Sequence, residues 1–170
     1  MICWDTAHGR FNYRVAGVCI ERGCVLLCQF SGTDDWFLPG GRCELMEPAA
    51  EALAREMREE LGVGVRVGRL LWIAENFFAL DGRRFHEIGL YFRLFLPPGT
   101  VYRDRNGVFV RAEGTGELTF RWFPLDALPE ERLVPPFLRT GLRRLPHVPQ
   151  HVVEDEIEPG RAPSPRPGST

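Results

Sequence analysis

Three glutamates at helical spacing are the residues of this sequence best placed to do chemistry. Glu56, Glu59 and Glu60 lie at positions i, i+3 and i+4 of "PAAEALAREMREELGV", and residues at that spacing share one face of a helix. Three such carboxylates repel one another, and Arg55 and Arg58 offset only part of the repulsion. Carboxylate oxygens without His or Cys at metal spacing suit Mg²⁺, with Mn²⁺ as a substitute. We therefore expect a divalent-metal site, the plain alternative being a solvated acidic face.

A glycine-rich loop and one helix must position these carboxylates. The loop "WFLPGG" cannot continue a regular element, and it lets backbone carbonyls and amides approach a metal or a phosphate. The helix is predicted to begin at Glu47 or Pro48 and to end at Leu61, because Gly62 supplies a C-terminal stop. Its expected buried face lies opposite the carboxylates and consists of Ala50, Ala54, Met57 and Leu61.

Strand-like segments flank this helix on both sides and indicate a mixed α/β sandwich. A hairpin is predicted within residues 13–30, further strands within 63–80, 85–96 and 117–125, and a final amphipathic helix within 134–145. Residues 99–116 read as a loop or irregular hairpin. Proline-rich residues 146–170 contain too few large apolar groups to offset the entropy of ordering, so we expect a flexible tail.

Composition limits the function further. The 170 residues carry a formal net charge of -2, which gives no general basic field for nucleic acid. The basic residues are all arginines, so any phosphate clamp must use guanidinium groups. Five cysteines without CxxC spacing indicate reduced thiols, and no signal peptide or long apolar run is seen, so we expect a cytoplasmic protein without a membrane partner.

The segment around the three glutamates resembles a known motif. Gly41-x5-Glu47-x7-Arg55-Glu56-Met57-x-Glu59-Glu60-x-Gly62-Val63 is similar to the Nudix box at every defined position. The resemblance implies the Nudix α/β/α sandwich, with a mixed β-sheet and a central catalytic helix, over residues 13–145. Residues 1–12 would be an N-terminal extension, and residues 146–170 the tail.

The resemblance also implies an activity and residue roles. The activity is Mg²⁺-dependent hydrolysis of a diphosphate linkage, in which a metal-activated water attacks phosphorus. Glu56, Glu59 and Glu60 would bind the metal together with the Gly40 carbonyl. The supporting residues would be Arg55, which orients the carboxylates, Glu47, which fixes the loop, and Gly41 and Gly62, which shape the backbone.

The general base stays open at this point, because the family places it variably. The candidates are Glu56 within the box, then Glu87 in "FHEIGLYF", then Glu113 or Glu117. Glu87 could equally be a strand residue paired with a neighbouring arginine, since its facing depends on the register of the strand.

The substrate is constrained less than the chemistry. In this family, a proline near Ala79 would mark the ADP-ribose type, and a tyrosine from Gly64 to Leu90 would mark the dinucleoside polyphosphate type. The sequence has neither, which favours a nucleoside tri- or diphosphate cleaved to the monophosphate. Alternatives are a diphosphate-linked substrate such as ADP-ribose or a nucleotide sugar, an RNA 5′ end, and a non-catalytic nucleotide-binding module. A homodimer is also considered.

Candidate stacking residues are Phe37, Phe78 and Trp122, each of which could instead belong to the core. Candidate phosphate contacts are Arg14, Arg42 and Arg84.

Overall fold

The computed structural model describes residues 1–100, 102, 104, 106–113 and 116–157 of the chain. Nine strands, two α-helices and a short 3₁₀ helix, Glu130–Arg132, are present in these residues. In chain order the elements are β1 Cys3–Thr6, β2 Gly9–Val18, β3 Ile20–Glu21, β4 Cys24–Phe30, α1 Ala49–Leu61, β5 Arg66–Leu80, β6 Arg83–Phe95, β7 Val108–Glu113, β8 Gly116–Pro124, α2 Leu138–Gly141 and β9 Gln150–Asp155.

The strands form two sheets. The larger sheet has the order β1-β2-β6-β5-β9 and is mixed, because β2 runs parallel to β6 and β9 runs parallel to β5. The smaller sheet has the order β3-β4-β8-β7 and is antiparallel. The mixed sheet that was predicted is therefore confirmed.

Side chains that alternate along the strands build two cores on opposite faces. Val15 and Leu26 belong to the core that contains the buried residues of α1, whereas their neighbours Ala16 and Leu27 belong to the core that contains Leu138 of α2. Successive side chains of a strand point to opposite faces. The sheets thus lie between two helical layers, which agrees with the predicted α/β/α sandwich.

The bounds of α1 follow from residues at its two ends. Pro48 precedes the helix in an extended conformation, and Gly62 ends it at φ 68° with its N–H donating to the Arg58 carbonyl at 2.9 Å. The predicted helix is therefore correct to within two residues at the N-terminus. Its buried apolar residues are Ala52, Leu53, Met57 and Leu61, while Ala50 and Ala54 are only half-buried.

The C-terminal region differs from the prediction at two places. Residues 150–155 were expected in a flexible tail, but they form β9, whose backbone pairs with β5 from Trp72 to Phe77. The backbone groups of an otherwise unpaired sheet edge stabilise this short strand despite its few apolar side chains. The predicted final helix is shortened to the four residues of α2, because Pro135, Pro136 and Gly141 interrupt the helical run.

The remainder of the predicted tail, residues 158–170, lies outside the described residues. At the other end, the expected N-terminal extension contributes β1 and the start of β2, with Cys3 paired to Asn12 and Thr6 to Gly9. Among the helices of the described residues, none has the length and apolarity needed to cross a membrane.

Candidate active site

Arg55 is the hub of the hydrogen-bond network around α1. Its Nε and Nη2 donate to the two carboxylate oxygens of Glu47 at 2.8 and 2.9 Å, and Nη1 donates to Glu56 at 2.9 Å and to Glu59 at 3.2 Å. A fifth bond runs from Nη2 to the Arg42 carbonyl at 3.0 Å. The paired carboxylates raise the pKa of Arg55, so its charge is fixed. Arg55 therefore ties the helix to the preceding loop and orients two of the three candidate ligands.

Glu47 fastens that loop at its other end. Besides the two bonds from Arg55, its Oε2 accepts the backbone N–H of Glu44 at 2.9 Å. The Arg55 hydrogen bonds lower the pKa of Glu47, so its carboxylate is held in the charged form. These are the backbone and arginine contacts expected of Glu47 from the sequence.

The Glu56 carboxylate occupies the space that a side chain at position 41 would need. A Cβ on Gly41 would lie 2.1 Å from the Glu56 carboxyl carbon and from its Oε2. Gly40 is restricted on its other side, since a Cβ there would lie 2.1 Å from the Val15 carbonyl oxygen at φ 145°. The two glycines therefore let the loop pass between strand β2 and the carboxylate.

The acidic residues are buried to different degrees, which does not fit the alternative of a solvated acidic face. Glu56 is only 9% exposed and Glu60 7%, whereas the Glu59 side chain is 60% exposed. On the helical wheel Glu56 falls between Ala52 and Leu53, which are both fully buried, so it cannot face open solvent. A buried carboxylate needs a charge partner, and Arg55 supplies one for Glu56.

The donor chemistry fits a hard divalent cation. Glu56, Glu59 and Glu60 offer carboxylate oxygens on neighbouring turns of α1, which is the ligand type that Mg²⁺ and Mn²⁺ prefer. Within the described residues, no three Asp, Glu, His or Cys side chains are grouped closely enough to hold an ion as they stand. Arg55 holds both Glu56 and Glu59 through hydrogen bonds from the same Nη1 atom.

Arg14 connects strand β2 to the glycine loop. Its Nη2 donates to the Gly40 carbonyl at 3.1 Å and to the Leu38 carbonyl at 3.4 Å, and its guanidinium lies 5.5 Å from the centre of the Phe37 ring. A carbonyl oxygen has two lone pairs, so Gly40 keeps one for the metal contact that the resemblance implies. Arg42 pairs with Arg14 across an isolated bridge, which brings the two predicted phosphate contacts together.

Glu87 lies near these arginines and away from the helix face that carries the acidic triplet. Its Oε2 accepts a long hydrogen bond of 3.5 Å from Asn12 on the neighbouring strand. Burial raises the pKa of Glu87, and the charges of Arg14 and Arg42 oppose that rise. The structure thus gives Glu87 a neighbouring arginine, as one of the two interpretations of the sequence expected.

The remaining candidate bases lie on the smaller sheet, Glu113 at the end of β7 and Glu117 in β8. Glu117 is an exposed residue of β8. The side chain of Glu113 lies outside the described part of the structure.

Three predicted substrate contacts fall in different places. Trp122 is wrong as a stacking residue, because it is 4% exposed within the core beside α1 and donates its Nε1–H to the Tyr102 carbonyl at 2.7 Å. Arg84 lines a trough of about 470 Å³ with Trp4, Phe77 and His86, at the far end of the larger sheet. Phe78 is half-exposed and stacks on Phe85 at 4.8 Å.

The structure adds residues that the sequence did not single out. An open groove of about 560 Å³ beside the C-terminal end of α1 is lined by Glu59, Glu60, Tyr102 and Arg111. Asn12 and Asn76 are buried polar residues in the larger sheet. An asparagine inside a β-rich run is a visible signal, but its meaning depends on the strand register, which the sequence does not contain.

Comparison with curated proteins finds partial relatives. Diphosphoinositol polyphosphate phosphohydrolase 2 of Rattus norvegicus is 40% identical over 70 residues, which are 39% of this chain and 39% of that protein. CTP pyrophosphohydrolase of Escherichia coli strain K12 is 38% identical over 77 residues, which are 42% of this chain and 56% of that protein. The aligned region therefore spans only two fifths to just over half of these relatives.

Solved structures share the fold over a larger part of the chain. A Nudix hydrolase from Nitrosomonas europaea superposes with a TM-score of 0.58 at 18% identity, covering 85% of this chain and 79% of that one. A UDP-X diphosphatase superposes with a TM-score of 0.54 at 22% identity, covering 86% and 69%. At these identities the likeness shows the fold.

The family is shown by a match to most of the sequence. The family model of the NUDIX domain matches residues 11–145, which include most of β2, the glycine loop, α1, β5 and β6. The Arg55 network and the Gly41 contact lie within that range. The chain belongs to the Nudix family.

Proposed function

We propose that this chain is a Mg²⁺-dependent pyrophosphohydrolase that cleaves a nucleoside tri- or diphosphate to the monophosphate. The observation that carries the proposal is the Arg55 network, which holds the Glu56 carboxylate against Gly41 and next to Glu59. An arrangement that only solvated an acidic face would not bury Glu56 and Glu60 or require glycine at position 41.

Each residue then has a physical task in the reaction. Glu56, Glu59 and Glu60 would hold the cation, with Mn²⁺ as a substitute, and the bound ion supplies neutralisation of phosphate oxygens and a more acidic water ligand. Arg55 keeps Glu56 oriented, and Glu56 is the first candidate to accept the proton of the attacking water. Arg14 and Arg42 would bind phosphate oxygens, since guanidinium groups suit them and both residues lie at the glycine loop.

The relatives support a diphosphate bond as the target and leave the attached group to be identified. One similar protein is named for CTP and another for diphosphoinositol polyphosphate. A nucleotide remains our proposal because Phe37 and Phe78 are half-exposed aromatic residues available for stacking. A cytoplasmic location and a homodimer remain predictions.

Hydrolysis of a substrate panel tests the proposal. Release of phosphate and pyrophosphate is measured from nucleoside di- and triphosphates, nucleotide sugars, dinucleoside polyphosphates, a diphosphoinositol polyphosphate and 5′-triphosphate RNA, with Mg²⁺, with Mn²⁺ and with EDTA. The variants are Glu59→Gln and Glu60→Gln, and the matched control is Glu51→Gln, an exposed glutamate in the first turn of the same helix.

We expect metal-dependent turnover of a nucleotide that falls at least about 100-fold in both variants and stays within about 2-fold in the control, since each ligand both binds the ion and positions it. Turnover that is indifferent to Glu59 and Glu60 would contradict the proposal. Binding of nucleotides without turnover would instead favour a non-catalytic Nudix module.

A further inference from the structure

A row of polar side chains crosses the larger sheet on the face opposite α1. Asn12 of β2 pairs in register with Glu87 of β6, and Glu87 pairs with Asn76 of β5. Residues directly opposite one another on adjacent strands share a face and lie about 5 Å apart. We call Asn12, Glu87 and Asn76 the polar row. Its face is that of Ala16, which belongs to the core with α2.

The polar row is buried and only partly hydrogen-bonded. Asn12 is 4% exposed and Asn76 6%, and within the described residues the Oδ1 atom of each has no hydrogen-bond partner. A buried carbonyl oxygen without a donor is unfavourable, because the hydrogen bonds that it makes to water in the unfolded chain are not replaced. A row that only stabilised the fold would be better served by apolar side chains, so the unpaired oxygens point to a ligand that brings N–H groups.

The surroundings of the polar row suit a flat ring. One row further out on the same face, Phe85 and Phe78 are paired in register, and their half-exposed rings stack at 4.8 Å with an interplanar angle of 5°. On the other side Gly89 carries no side chain, and the Tyr91 ring extends over it, with its hydroxyl 3.2 Å from where a Cβ would be. Aromatic side chains thus lie on both sides of the polar row, and a planar heterocycle can stack against such rings.

Arg14 joins the polar row to the proposed catalytic site. It lies two residues beyond Asn12 on the same strand and face, about 7 Å away along the strand, and its guanidinium reaches the Gly40 carbonyl. Its charge also acts on Glu87. A substrate whose phosphates lie at the glycine loop would therefore place its attached group over the polar row.

The charge of the polar row decides which attached group fits. It presents two amide oxygens and a carboxylate, and the next residue in register on β9 is another acid, Glu154. A polyphosphorylated ring needs several cations around it, whereas here a carboxylate would face its phosphates. An amino-bearing heterocycle instead donates N–H groups to these acceptors.

We propose that Asn12, Glu87 and Asn76 recognise a nucleobase with an exocyclic amino group, as in cytosine, guanine or adenine, and that they exclude polyphosphorylated rings. This inference rests on the proposed function for the location of the phosphates. It also assigns Glu87 to substrate recognition instead of proton abstraction.

Binding measured without turnover tests the inference separately from the hydrolase activity. Dissociation constants of CMP, GMP, AMP, UMP, ribose 5-phosphate and inositol hexakisphosphate are measured by calorimetry on the full chain. The variants are Asn12→Leu, Asn76→Leu and Glu87→Gln, and the control is Asn106→Leu, which changes an exposed asparagine outside the larger sheet. Melting temperatures are recorded for all of them.

We expect an amino-bearing monophosphate to bind at least about 10-fold more tightly than ribose 5-phosphate or UMP. Asn12→Leu and Asn76→Leu should weaken it about 10- to 100-fold, because the base N–H groups lose their acceptors. Neither substitution should change ribose 5-phosphate binding, and Asn76→Leu should leave the melting temperature unchanged or higher, since it removes an unpaired buried oxygen.

Three results would overturn the inference. They are monophosphate binding in both asparagine variants that equals the wild type, tighter binding of inositol hexakisphosphate than of every monophosphate, and a melting temperature that falls in Asn76→Leu while binding is unchanged. In a hydrolysis assay, Glu87→Gln should raise KM for the preferred nucleotide more than it lowers kcat. An equal loss of kcat for every substrate would return Glu87 to the role of general base.

Discussion

Replacing Gly41 with alanine should disable the site, because the new side chain would displace the Glu56 carboxylate or the loop. The new Cβ would lie 2.1 Å from the Glu56 carboxyl carbon, whereas carbon atoms in contact lie about 3.5–4.0 Å apart. The carboxylate must therefore move by about 1.5 Å, or the loop must shift by as much. Movement of the carboxylate is enough to break the 2.9 Å bond from Arg55 to Glu56, and movement of the loop is enough to break the 3.0 Å bond from Arg55 to the Arg42 carbonyl.

The expected loss follows from that displacement. A shift of about 1 Å in a catalytic group costs on the order of 100-fold in rate, and a disturbed ligand weakens metal binding about 10- to 100-fold. Gly41→Ala should thus lower kcat/KM by about 100-fold and move the activity curve to higher Mg²⁺ concentration. Stability should fall by about 1–3 kcal/mol, as for other overpacked sites.

Gly64→Ala is the matched control for this substitution. Like Gly41, Gly64 has no positive φ, and a Cβ there meets no atom within 4 Å. Activity is measured against Mg²⁺ concentration for both variants on the preferred nucleotide, and unfolding is followed by circular dichroism. Equal activity in Gly41→Ala and Gly64→Ala would refute the assignment of Glu56 as an active-site ligand that this loop must accommodate.

Three further predictions concern the same loop and helix. Arg55→Lys should lower the free energy of unfolding by about 2–3 kcal/mol, because an ammonium group cannot replace the five hydrogen bonds of the guanidinium. The control Arg58→Lys, at an exposed position of α1, should lower it by less than about 0.5 kcal/mol. Equal losses of both variants in urea unfolding would contradict the role of Arg55 as the hub of the network. Folding lowers the pKa of Glu47, so the stability that its carboxylate contributes is present at neutral pH and lost as pH falls below about 4. In thermal melts, Glu47→Gln should therefore be less stable than the wild type at pH 7, and the difference between the two proteins should shrink toward pH 3. Burial raises the pKa of Cys43 to about 11, so iodoacetamide should modify Cys43 more slowly than the half-buried Cys3, as peptide mass spectrometry can show.

The helix and its loop could be predicted because local residues determine them. Pro48 and Gly62 define the ends of α1 through their own backbone preferences, and the acidic spacing identifies the ligand candidates. The burial of Glu56 could not be predicted in the same way. It depends on the loop that covers this side of the helix, whereas helical spacing describes only the helix itself.

Strand β9 and the position of Trp122 could not be predicted from the sequence, because both depend on pairing between distant strands. β9 is stabilised by parallel pairing with β5, more than 70 residues earlier in the chain, and its own composition indicated a tail. Successive side chains along β8 point to opposite faces of the sheet, and only the strand register shows that Trp122 faces the core beside α1. The polar row depends on register as well, since Asn12 and Asn76 meet only through β6.

Direct measurement of metal binding tests whether the carboxylates of α1 form a divalent-cation site. Binding of Mn²⁺ is followed by electron paramagnetic resonance for the wild type, Glu56→Gln, Glu60→Gln and the first-turn control Glu51→Gln. We expect affinities at least about 10-fold weaker in Glu56→Gln and Glu60→Gln and an unchanged affinity in the control. Equal Mn²⁺ affinity in all four proteins would contradict such a site.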